Sequence, residues 1–130
     1  MKLSARGRQA PTEVKVTMAL LVGVPVVYTL LVLFMMVSAD ATGRGLMIPL
    51  TSLLFGGIVA AGIGRGSPFF RIAGYVVVVV FAIVHVFALL VAAMLWVKLF
   101  SILAAGGYIY SGVLLNSLPM RRYVLGEDRA

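Results

Sequence analysis

The chain has no cysteine, a single histidine and only four acidic residues, and each shortage closes off a class of chemistry. Without cysteine there is no disulfide framework, no thiolate nucleophile and no thiolate-bound zinc or iron–sulfur centre. The lone histidine, His85, has no second histidine with which to form a zinc site or a phosphorelay. The acids Glu13, Asp40, Glu127 and Asp128 all lie outside the long apolar runs. No carboxylate is therefore expected at membrane depth to couple a proton or hold a cationic substrate, unlike a proton-driven drug exporter of similar size. Glu13 stands closest to such a run, and its neighbours Pro11, Thr12 and Lys15 assign it to the interface. Catalytic spacings are missing too. There is no GxSxG elbow, and Gly64-Arg65-Gly66 has neither a flanking strand nor the Gly-Lys-Ser/Thr of a phosphate loop. The chain is expected to be no enzyme and to carry no metal or other cofactor.

What remains is apolar. Hydrophobic residues make up 62% of the 130 residues and charged ones 12%, and the mean hydropathy is +1.12. That is too little polar surface to cover a soluble globule, so the composition calls for a bilayer as solvent. Between Arg71 and Lys98 the run Ile72–Val97 holds no charge. At about 1.5 Å per residue it is long enough to cross a hydrocarbon core of about 30 Å.

The expected fold class is all-α, an integral membrane bundle of four transmembrane helices. A basic tail over 1–15 leads into a membrane domain over 16–118, and a second tail occupies 119–130. The spans are predicted at about 16–37, 47–64, 69–96 and 99–118. The first resembles a signal peptide in its positive start and in Ala39-Asp40-Ala41, but it outruns the usual apolar region of roughly 7–15 residues and reads as a retained helix. Pro25 should kink it mildly. Ser38–Leu46 is a turn-rich hairpin loop, and Ser67 with Pro68 suits the start of the third helix. Trp96 and Lys98 suit an interfacial exit, with a tight turn near Val97–Phe100, and Pro119 should stop the fourth helix.

Lysine and arginine counts orient the bundle. With both termini cytoplasmic, the inside segments carry Lys2, Arg6, Arg8, Lys15, Arg65, Arg71, Arg121, Arg122 and Arg129, against Arg44 and Lys98 outside. The basic residues gather at segment ends rather than along one face, so nucleic acid is not an expected partner. Anionic lipid headgroups are, above all at Arg65, Arg71, Arg121 and Arg122, at about 1 kcal/mol per charge near the surface.

Two internal patterns bear on function. Ser52, Gly56, Ala60 and Gly64 recur at every fourth position, and Ala104, Gly107 and Ser111 keep the 3–4 spacing. Such ridges pack helices closely, within the chain or against another protein. The second pattern is a candidate polar cluster of His85, Tyr28, Tyr108 and Asn116. By residue counting, His85, Tyr28 and Tyr108 fall at similar depth, while Asn116 shares a helical face with Tyr108. An ionisable residue at that depth suggests a proton relay, a gate or an axial haem ligand, or else an imidazole hydrogen-bonded to a tyrosine or carbonyl that fixes helix register. One histidine per chain supplies one axial ligand, so a bis-histidine haem would need two copies of His85 brought together.

The basic amino-terminal tail, the turn Gly64-Arg65-Gly66 leading to Arg71, and the ending Asn116-Ser117-Leu118-Pro119-Met120-Arg121-Arg122-Tyr123 resemble the small four-span membrane proteins of actinobacteria. The resemblance implies a multi-pass location in a bacterial plasma membrane and carries over no site residue. The expected function is non-catalytic, as an accessory or scaffold subunit beside a larger membrane protein or in a homo-oligomer. The alternatives are a homo-oligomeric channel or transporter and, more remotely, a haem-binding electron carrier.

Overall fold

The computed structural model describes residues 10–39 and 43–125. Among them are five α-helices: α1 (Thr12–Ala39), α2 (Met47–Gly64), α3 (Pro68–Val91), α4 (Leu95–Leu115) and α5 (Leu118–Leu125). A short 3-10 turn, Gly43–Leu46, leads into α2, and the Asp40–Thr42 part of the expected hairpin loop lies outside the described residues. The first four helices are long and apolar enough to cross a membrane. In hydrocarbon a backbone N–H has no water to bond, and a helix is the one single-segment structure that satisfies every such group internally.

The four long helices run up and down. α1 packs against α2 and α3 against α4, while α2–α3 and α1–α4 contacts close the ring. The α1–α2 pair is set by small residues. A methyl group on Gly56 would collide with the Leu21 carbonyl oxygen, and one on Gly64 would press on the Met18 side chain. Between α2 and α3, Gly62 leaves room for the Phe70 ring. Glycine is thus required where two backbones, or a backbone and a ring, come within contact.

Three sequence expectations change. The third and fourth spans part at Ala92–Met94 instead of near Val97–Phe100, so Trp96 and Lys98 lie in the first turn of α4. The backbone turns extended at Ala92 and Met94, with ψ of 135° and 132°, which ends α3 after 24 residues and starts α4 at Leu95. The first span also starts earlier, at Thr12, with Glu13 in its first turn, where a carboxylate complements the helix dipole.

The third change is in the expected carboxy-terminal tail, where 118–125 folds as α5. Ser117 accepts a 3.4 Å hydrogen bond from the Met120 amide, which is capping geometry, and Pro119 sits in the first turn. Met120, Tyr123 and Val124, at i, i+3 and i+4, are buried against the bundle. The Tyr123 hydroxyl donates to the Gly64 carbonyl at the end of α2. α5 therefore closes the end of the bundle where α1 and α3 begin and α2 and α4 finish. Arg65, Arg71, Arg121 and Arg122 gather there and make it the basic end of the bundle.

Substituting the two adjacent glycines of α2 tests this packing. Gly56→Ala should lower stability by about 1–3 kcal/mol through overpacking. Gly57→Ala, whose added methyl meets nothing within 4 Å, should be neutral or stabilise by up to about 1 kcal/mol. Denaturation in mixed micelles followed by circular dichroism reads both, and equal effects would contradict the α1–α2 contact.

Candidate functional site

His85 and Tyr108 lie on the facing sides of α3 and α4, with 0% and 1% of their surfaces exposed. Burial follows from periodicity: Gly74, Val78, Phe81 and His85 form the inward face of α3, and Ser101, Ala104, Ala105, Tyr108 and Ser111 that of α4. Tyr28 reaches the same layer from α1. Its ring centroid is 5.2 Å from that of His85, and Tyr108 stacks on His85 at 5.6 Å with an interplanar angle of 19°. Phe100 meets both Tyr28 and His85 edge-on, at 5.3 and 6.0 Å, and Phe81 stacks on Tyr108 at 5.9 Å. Three of the four residues expected to cluster are thus brought together.

Asn116 is the exception. It lies at the C-cap of α4, exposed, where its Oδ1 accepts a 3.3 Å hydrogen bond from Arg71 Nη2. Eight residues of helix separate it from Tyr108, about 12 Å along the axis, so a shared face did not mean a shared depth. Conversely, the sequence reading did not single out Phe81 and Phe100. The signal was present as spacing: Phe81 is four residues before His85 and Phe100 eight before Tyr108, each on the same helical face as its partner.

The expected hydrogen bond to His85 is not there. Both ring nitrogens of His85 and the Tyr108 hydroxyl are buried without a hydrogen-bond partner. Tyr108 meets the imidazole as a near-parallel ring, at 19°, rather than through its hydroxyl. The Tyr108 hydroxyl instead lies near Ser52 of α2, out of hydrogen-bond geometry. The Ser52 hydroxyl donates at 2.8 Å to the Ile48 carbonyl. What holds the imidazole is aromatic packing, about 0.5–1.5 kcal/mol per pair beyond area burial. Each unbonded buried polar group costs about 1–3 kcal/mol in return.

Haem does not fit this site. An axial ligand must present a ring nitrogen to an open face, and the His85 ring is enclosed by Tyr28, Phe100 and Tyr108 inside one chain. Pairing two copies of His85 would require the bundle to open. Among the described residues no cluster of three or more histidines, cysteines or acids could hold a metal ion.

Both small-residue ridges turn inward. Ser52, Gly56 and Ala60 are buried and Gly64 half-buried against α1. Ala104 and Ser111 are buried on α4, and Gly107 sits beside Val24 and Leu20 of α1. They pack helices of one chain. The four basic residues read as headgroup contacts divide: Arg65 and Arg122 are exposed, whereas Arg71 and Arg121 are half-buried. Comparison of the chain with protein-family models, with curated proteins and with solved structures finds no match. Fold and site therefore carry the functional reading by themselves.

Substitution separates packing from polar chemistry at His85. His85→Ala should cost about 2–4 kcal/mol by leaving a cavity. His85→Phe, which gives up no protein hydrogen bond, should stay within about 1.5 kcal/mol of the parent. A larger loss on His85→Phe, read by denaturation in micelles, would mean that the imidazole nitrogens are bonded.

Proposed function

We propose that the protein is a non-catalytic, multi-pass subunit of a bacterial plasma membrane, with both termini in the cytoplasm. In this reading it works as an accessory or scaffold beside another membrane protein or a second copy of itself. The basic end, rich in arginine, faces the cytoplasm, in keeping with the preference for positive residues inside.

The observation that supports a partner is the uneven packing of the bundle. Toward the basic end every long helix buries a face. Beyond Pro25 in α1 and beyond His85 in α3 no described side chain is buried, although these helices run on to Ala39 and Val91. Leu30, Phe34 and Val37 on α1 and Phe87, Leu90 and Val91 on α3 stand exposed there. A helix in a finished bundle keeps one face inward along its whole length, so these segments are suited to packing against a neighbouring protein.

One observation favours transport instead. The unbonded polar atoms of His85 and Tyr108 are what a hydrated path would use if the bundle opened to water. The buried, aromatic setting of His85 supports the subunit reading over this one, since Tyr28, Phe100 and Tyr108 pack against the ring.

Site-specific photocrosslinking in native membranes tests the proposal. Probes at Phe34 and Phe87 should give one protein adduct of defined mass, and probes at the equally exposed Phe69 and Ile72 should give lipid adducts. Lipid adducts at all four positions would refute the subunit reading. So would a flux in proteoliposomes that His85→Ala abolishes while assembly is unchanged.

A further inference from the structure

A groove of about 620 Å³ runs along the outer surface between α3 and α4. Its floor is where Gly112 comes close to Val78: a methyl group on Gly112 would lie 3.3 Å from Val78 Cγ1. Its walls include Val79 and Val113, which are 54% and 62% exposed, and Tyr75 and Asn116 stand at the basic end. The groove is thus apolar along its length and polar at one mouth. Only a ligand with a long apolar body and a polar head matches that order.

Arg71 identifies the head. Its Nε donates at 2.8 Å to the Leu115 carbonyl, the last of α4, and its Nη2 donates to the Tyr75 hydroxyl at 3.2 Å and to Asn116 Oδ1 at 3.3 Å. The guanidinium carbon also lies 5.3 Å from the Tyr75 ring centroid. Nε–H and the two N–H bonds of Nη2 are therefore used, and the two on Nη1 have no acceptor among the described residues. No described carboxylate pairs with this charge either. A guanidinium fixed by three hydrogen bonds, two of them to the Tyr75 and Asn116 side chains that line the groove's polar mouth, and with two donors left over is pre-organised for a phosphate oxygen.

We infer that the α3–α4 groove binds one anionic glycerophospholipid, its phosphate on Arg71 and Tyr75 and one acyl chain lying over Gly112 between Val79 and Val113. The site rests on the reading of the four helices as membrane spans, because only then does the groove face acyl chains and Arg71 the headgroup layer. It goes beyond general attraction of basic residues to the surface: one lipid, one position, and dependence on groove shape as well as charge. The hydrogen bond to Leu115 gives Arg71 a second task, capping the carboxyl end of α4.

The test uses the full chain in mild detergent, with native mass spectrometry at graded phosphatidylglycerol and phosphatidylcholine. The parent should retain one phosphatidylglycerol with about tenfold preference over phosphatidylcholine, equivalent to about 1.4 kcal/mol. Arg71→Gln should abolish the preference. Because that change also removes a helix cap, Val113→Trp provides the second arm: it fills the groove from an exposed wall, leaves Arg71 untouched, and should lower retention of both lipids about tenfold. Unchanged phosphatidylglycerol binding in folded Val113→Trp would overturn the groove, and equal retention of the two lipids by the parent would overturn the role of Arg71. Inorganic phosphate at millimolar concentration should not displace the lipid; if it does, the site is a simple anion site and the proposal fails. Alkaline carbonate extraction of the parent from vesicles tests the membrane reading separately, since a chain that washes off has no spans, whatever it binds in detergent.

Discussion

The close approach of α1 and α2 at Gly56 is the contact on which the other layers depend. With the α2 backbone seated against the Leu21 carbonyl, Gly64 falls beside Met18 and the two helices are held in one register. Ser52, one turn from Gly56, then looks toward Tyr108 on α4, and Tyr28, two turns beyond Leu21, reaches His85 on α3. A larger residue at position 56 would push α1 away from α2 and with it the ring that closes the aromatic layer. For helices in a bilayer there is little hydrophobic gain to be had, and association there rests on contacts of this kind, where missing side chains let backbones touch.

Much of this was legible in the sequence, for reasons that can be named. The four long apolar stretches follow from counting residues against bilayer thickness, and the inward ridge of α2 from its strict repeat of four. The meeting of His85, Tyr28 and Tyr108 was legible because antiparallel spans of known start map residue number onto depth. Asn116 failed on the same arithmetic, since its distance from Tyr108 along α4 was overridden by the face the two share. The break at Ala92–Met94 carries no glycine or proline to announce it. Lys98, the visible charge, drew the expected turn toward itself, whereas the chain turns extended earlier, at Ala92–Met94.

The short α5 illustrates a different limit. Its signals are local and complete: a serine before it, a proline in its first turn, and apolar residues at 120, 123 and 124. They were outweighed by arginines and by position after the last span, which made the segment look like a solvated tail. Burial of Met120, Tyr123 and Val124 needs a surface to bury against, and that surface exists only once α1, α3 and α4 have come together at this end. Tertiary context, not propensity, turns eight residues with a charged face into a lid.

That lid divides the protein into two unlike halves. At the basic end the helix ends are tied to one another and plugged: Tyr123 to Gly64, Arg71 to Leu115, Met120 into the core. The His85 layer is the last in which α1 and α3 pack closely together, and past it their inward stripes, Leu31, Val32, Met35 and Met36 on α1 and Ala88 and Leu89 on α3, are only half-buried. The packed half holds Arg71 by three hydrogen bonds beside a shaped outer groove, the pre-organisation that the proposed lipid site uses. The other half has the opposite character on α1 and α3, because side chains that stand exposed, such as Phe34 and Phe87, can re-pack around whatever lies beside them. An aromatic layer between the two keeps the polar atoms of His85 and Tyr108 away from water in the present arrangement.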